Sequence, residues 1–124
     1  SVIYMLNSTG TVLATINPSA EFGARGIASF TYDVTKNEVY VVSTLSAGSR
    51  IVARYKDTGT LIATVSTTTE STLESFGMFS LDPYMFIQYG VDKLYRHDLQ
   101  TMANATLVST IVNGASPSDT RLFN

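Results

Sequence analysis

An all-β fold is the expectation for this chain, and two observations carry it. The first is the residue palette. Of 124 residues, 17 are Thr and 14 are Ser, and 7 Tyr, 6 Phe and many Val and Ile add further strand-forming material. No window of about 11 residues or more keeps apolar residues at i, i+3, i+4 and i+7, so no substantial helix is expected. The second observation is a repeated word. "TGTVLATI" runs from Thr9 to Ile16 and "TGTLIATV" from Thr58 to Val65, 49 positions apart and identical at five of eight letters. Self-similarity at such a spacing marks a structural unit used more than once.

The elements follow in order as short strand-like runs separated by turn residues. "SVIYML" passes through "NSTG" into "TVLATI". "GIASFTYD" passes through "VTKN" into "EVYVVSTL", and after "SAGS" the run "RIVARY" passes through "KDTG" into "TLIATVS". Beyond the polar connector "TTTEST" come "ESFGMFSL", the turn "DP" and "YMFIQYG", then "DKLYRHDL", "QTMAN" and "ATLVSTIV". The repeated word therefore falls each time on the closing turn and last strand of a four-strand unit, with its aliphatics expected between sheets. One full unit spans 26–66 and a second 76–112; half a unit occupies 1–17, and 113–124 reads as the start of another. Four antiparallel strands recurring roughly every 40 to 50 residues are the pattern of a β-propeller blade, which gives about 2.5 blades. A β-sandwich of about ten strands is the alternative for a chain of this size.

The apolar pattern favours stacked sheets. "VYVV", "YMFI" and "TLIATV" are nearly continuous apolar runs, as expected of strands covered on both faces. "RIVARY" alternates instead, with Ile51, Ala53 and Tyr55 on one side and Arg50, Val52 and Arg54 on the other. That alternation predicts an outer strand whose basic side is solvated, and Arg50, Arg54 and Lys56 are read as that wet side.

Here the chain resembles a known group. "YKDTGTLIATV" and "YRHDLQTM" look like the third-to-fourth strand hairpin of NHL- and YVTN-type β-propeller repeats, in which an aromatic precedes an Asp, then Thr-Gly and the last strand. "GIASFTYDVTKNEVYVVS" is similar to their first hairpin, with Asp33 before the turn and Asn37 closing it. The third copy departs from the pattern by carrying Met102 at the glycine position. The resemblance implies a fold and leaves function open. An arc of about 2.5 blades leaves apolar faces uncovered, so the partners expected are the rest of a longer chain or other copies of itself.

Composition narrows the function classes. A net charge of −2 with eight scattered basic residues offers no phosphate-binding surplus, so nucleic acid is not an expected partner. The absence of cysteine removes disulfides, Cys-based zinc sites and thiol nucleophiles. Apolar runs of a few residues fall far short of the roughly 18 that span a bilayer as a helix, so no membrane insertion is expected. His97 is the only histidine, and its neighbour Asp98 points to the opposite face of a strand, which argues against a joint catalytic or metal role. Asp33, Asp57, Asp82 and Asp98 all stand at turns, where an aspartate caps its own backbone. No glycine pattern cradles a phosphate. The expectation is a protein without catalytic residues, cofactor or metal.

What the sequence does offer is surface chemistry. Asn7 in "NST" and Asn104 in "NAT" match the N-glycosylation acceptor pattern, both at the third-to-fourth strand hairpin of a unit. "STTTEST" (66–72) would also accept O-glycans. Tyr4, Tyr55 and Tyr95 fall near hairpin ends and are the candidates for exposed rings that stack on a sugar, whereas Tyr40, Phe79, Tyr84 and Phe86 are expected in the core. The function these features imply is a secreted or surface-displayed structural or adhesive module, extracellular and glycosylated. The alternative is a carbohydrate- or ligand-binding, lectin-like propeller.

Overall fold

The computed structural model describes residues 1–68, 75–89, 93–98, 100–102 and 106–110. These hold ten strands and one four-residue helix, and every strand coincides with a run expected from the sequence, β5 and β6 extending one or two residues past theirs. β1 (Ile3–Leu6) and β2 (Val12–Ile16) form a hairpin. Helix α1 (Ser19–Phe22) follows at "NPSAEF", and its Phe22 is buried. β3 (Ile27–Asp33), β4 (Glu38–Ser43), β5 (Ser49–Lys56) and β6 (Leu61–Thr68) form one antiparallel meander. β7 (Ser75–Leu81), β8 (Tyr84–Tyr89), β9 (Lys93–Asp98) and β10 (Thr106–Thr110) form a second. The molecule is thus all-β, with one two-stranded and two four-stranded antiparallel sheets. Among the described residues the sheets close into neither a barrel nor a ring. The 113–124 segment lies outside the described residues.

The three sheets stack, and two apolar clusters sit between them. Ile3, Ile16 and Phe22 meet Val39, Val41, Ala53 and Tyr55 on one side of the middle sheet. Tyr40, Val42 and Val52 meet Met78, Met85, Ile87 and Tyr95 on its other side. β4 therefore buries all six of its residues, Val39 and Val41 toward the hairpin, Tyr40 and Val42 toward the last sheet. This is why "VYVV" is a continuous apolar run: both faces leave water, at about 1.5 to 3 kcal/mol for each fully buried large side chain. β3 and β7, the first strands of the two meanders, lie against each other.

The repeated word makes the same hairpin twice. In the first copy Met5 pairs with Ala14 and Leu6 with Val12, with a bulge between Met5 and Leu6. In the second, Arg54 pairs with Ala63 and Tyr55 with Leu61, with a bulge between Arg54 and Tyr55. Every one of these positions is offset by 49. The turns match too: Gly10 N–H donates to the Asn7 carbonyl at 3.0 Å, and Gly59 N–H to the Lys56 carbonyl at 2.9 Å. At the third hairpin Met102 takes the left-handed backbone that glycine holds in the first two, with φ of 50°. Its side chain is buried in the second cluster, and burial of about 1.5 to 3 kcal/mol offsets a backbone cost of similar order.

Two sequence expectations are corrected here. The aliphatics of the repeated word are largely exposed: Val12, Leu13, Leu61 and Ile62 all face solvent, because β2 and β6 are the last strands of their sheets. β5 is not a half-wet outer strand. It runs between β4 and β6, so Arg50 is fully buried and Arg54 is mostly so, and only Lys56 remains on the wet side.

Candidate functional site

The turns between β1 and β2, β3 and β4, β5 and β6, and β7 and β8 supply most of the polar chemistry. At the first of them Asn7 is exposed, and its Oδ1 accepts three hydrogen bonds: from Thr9 N–H at 3.0 Å, Thr9 Oγ1 at 2.7 Å and Thr11 N–H at 2.9 Å. The carboxamide oxygen is thereby committed to the turn. Among the described residues no hydrogen bond engages Nδ2, the atom to which an N-glycan attaches. Asn104 lies outside the described residues. If Asn7 carries a glycan in the native protein, intact mass should fall on treatment with a peptide N-glycanase, with Asn7 converted to Asp. A native mass matching the bare polypeptide would remove that modification.

Two of the turn aspartates act on their own backbone as expected. Asp33 Oδ1 accepts from Thr35 N–H and Lys36 N–H at 3.0 and 3.1 Å, and Asp98 Oδ1 from Gln100 N–H and Thr101 N–H at 2.8 and 3.0 Å. Those amide donors hold the Asp98 carboxyl below the usual carboxylate range. Asp82 forms an ion pair with Lys36, joining the β3–β4 and β7–β8 turns beside a half-open cleft of about 490 Å³. Asp57 accepts from the Tyr32 hydroxyl at 3.3 Å, and the same hydroxyl donates to Asn37 Oδ1 at 3.1 Å.

The tyrosines divide sharply. Tyr4 is 58% exposed, whereas Tyr55 and Tyr95 are 2% and 3% exposed, so the expected exposure of those two is corrected. The reason is that β5 and β9 are third strands, covered by a neighbouring sheet, and a hairpin end does not free the ring. Tyr55 also donates its hydroxyl to Glu21 at 2.9 Å; burial and that carboxylate push its ionisation up. Tyr40 is buried as expected, but Phe79, Tyr84 and Phe86 are only half-buried. Tyr32, which sequence reasoning passed over, is 41% exposed and borders a second cleft of about 400 Å³ with Leu6, Leu13 and Asp57.

The strongest electrostatic feature is buried, and it draws on Arg54 and Lys56, which the sequence alone places on the solvated side of a strand. Glu38 is 3% exposed. Its Oε2 accepts from Tyr40 Oη at 2.8 Å and Arg54 Nε at 2.8 Å, and its Oε1 from Arg54 Nη2 at 2.9 Å and Lys56 Nζ at 3.5 Å. Burial alone raises a carboxyl, but the Arg54 fork and the Tyr40 hydroxyl outweigh it and hold Glu38 at about 2. The register that makes this is Tyr40 opposite Arg54, with Glu38 opposite Lys56. The last sheet repeats the arrangement with different chemistry. Phe86 stands opposite Arg96 as Tyr40 stands opposite Arg54, and Arg96 lies over the Tyr84 ring at 4.3 Å from its centroid.

His97 is fully buried on β9 opposite Met85, while Asp98 is tied to its own turn, so the structure does not bring the two together. Among the described residues no three His, Cys, Asp or Glu side chains gather as a metal site. The helix, at four residues, is not one that crosses a membrane. No protein-family model, curated protein or solved structure matches this chain.

Proposed function

We propose that the stacked sheets are blades of a β-propeller-like arc, and that the protein is a structural or adhesive module, secreted or surface-displayed, whose blade faces take further β-structure. One observation carries this reading. By register, Phe30 opposite Val41 in the middle sheet is the counterpart of Met78 opposite Ile87 in the last sheet. Met78 is 9% exposed because the middle sheet covers it, whereas Phe30 is 53% exposed. The hairpin β1–β2 covers β4 and β5, the inner strands of the middle sheet, and leaves Phe30 and Tyr32 on β3 open. A stacked array in which one unit supplies only its last two strands leaves this uncovered strip, and an aromatic strip of this kind marks an interaction face.

The test is the mass of the native species from its source under non-denaturing conditions. The expected mass is well above the 13.4 kDa of this chain, through covalent continuation or through association. A native species of 13.4 kDa would sink the proposal. The cleft bounded by Leu6, Leu13, Tyr32 and Asp57 supports the second, lectin-like reading, because an exposed ring beside a carboxylate suits a sugar. Saturable binding on a glycan array, lost in Tyr32→Ala, would favour it.

A further inference from the structure

The two ends of the stack expose complementary faces, and we infer that they join head to tail between two copies of this chain. The inference rests on the blade-arc reading and names its partner. At one end, the outward face of the β1–β2 hairpin carries Tyr4, exposed by 58%, with Leu6 and Leu13, exposed by 55 and 68%, at its rim, where they also border the cleft toward Tyr32. The 49-residue equivalence matches Tyr4 with Ala53 and Leu6 with Tyr55. Ala53 and Tyr55 are buried at 0 and 2%, under the inward face of the preceding hairpin. The outward face of β1–β2 is therefore the same kind of surface without its cover.

At the other end, the outward face of the last sheet carries the stacked pair Phe79 and Phe86, with ring centroids 5.0 Å apart, and the Tyr84–Arg96 pair. Their counterparts by register in the middle sheet are Tyr40, buried against the sheet that follows, and Arg54, which keeps only 18% of its side chain in water. Phe79, Tyr84, Phe86 and Arg96 are only half-buried. Within the chain, a face of the second kind meets a face of the first kind at both sheet-to-sheet junctions. One copy's last sheet on the next copy's hairpin continues that same stacking, and the contact is heterologous, since the two surfaces differ. Asn7 stands at the tip of the hairpin, off this face, so a glycan there leaves the contact open.

A complementation experiment separates this contact from other forms of association. The full chain is expected to sediment as a dimer or larger multiple of 13.4 kDa at high micromolar concentration. Tyr4→Asp blocks only the hairpin face, and Phe86→Asp only the last-sheet face. Each variant alone is expected to be monomeric. Mixed, they should form a 1:1 dimer, because one intact face of each kind remains. Circular dichroism checks that each variant folds, and Arg96→Glu replaces Phe86→Asp if the latter does not. A wild-type chain that stays monomeric, or variants that fail to pair when mixed, would overturn the head-to-tail contact. Either outcome leaves the blade-arc reading to the native mass measurement.

Discussion

Replacing Glu38 by Ala is expected to lower the free energy of unfolding at neutral pH by about 2 to 4 kcal/mol. The carboxylate is the shared acceptor of a hydroxyl, a guanidinium and an ammonium on β4 and β5. Removing it leaves the Tyr40 hydroxyl buried without that acceptor and brings Arg54 and Lys56 together without their counter-charge. Arg54 and Lys56 keep 18 and 52% of their side chains in water, which places the loss below that of a fully enclosed charge. Urea unfolding followed by circular dichroism gives the number, and a loss under half a kcal/mol would show the cluster to be incidental.

The same group fixes a pH dependence whose sign can be worked out. The Glu38 carboxyl is held at about 2 against an ordinary value of 4.5. A carboxyl depressed on folding stabilises the native state fully above its unfolded value, and that contribution fades as pH falls from 4.5 toward 2. Its ceiling is roughly 3 kcal/mol by linkage. Other carboxylates titrate in the same window, so the informative quantity is the gap between wild type and Glu38→Gln. That gap should be widest above pH 5 and nearly closed at pH 2. A gap that does not change with pH would show that the stability comes from shape and packing alone.

Much of this fold is legible from residue pattern, and the reason lies in turn chemistry. Asp33, Asn7 and Asp98 each accept amide donors two or three or four residues on, and such turns punctuate strands locally, without help from distant neighbours. The strands between them were therefore readable, as was the equivalence of the two "TG" hairpins. What stayed hidden depends on which strand lies outermost. "RIVARY" and "TLIATV" carry no mark saying that β5 is enclosed and β6 is at the edge. Arg50 thus read as wet, and Leu61 and Ile62 as dry, when the reverse holds. Alternation in a strand reports two different faces; it does not report which neighbour covers them. The Glu38–Arg54 pair lies 16 residues apart in sequence and becomes neighbours only through the β4–β5 register, so its charges resemble any scattered surface pair. α1 escaped notice because four residues hold too little periodicity to register.

Gly59→Ala is expected to cost about 2 to 4 kcal/mol, and Gly10→Ala only about 1 kcal/mol, although the two glycines close the same turn. Both hold backbones that side-chain-bearing residues rarely adopt, with φ of 94° at Gly59 and 84° at Gly10. That shared strain sets a common cost. The difference comes from beyond the turn. A Cβ on Gly10 meets nothing within 4 Å, while one on Gly59 falls 2.7 Å from the carbonyl oxygen of Thr15. Thr15 belongs to β2 and pairs with Tyr4 on β1, so its backbone cannot retreat without disturbing the hairpin. The hairpin in turn covers Val39, Val41 and Tyr55. The extra cost at Gly59 is therefore a cost of sheet stacking, and Gly10 serves as its internal control. Denaturant midpoints of the two variants, measured side by side, decide it. Equal losses would mean that the turn of one unit does not press on the last strand of the unit before it, and the stacking between the hairpin and the middle sheet would have to be redrawn.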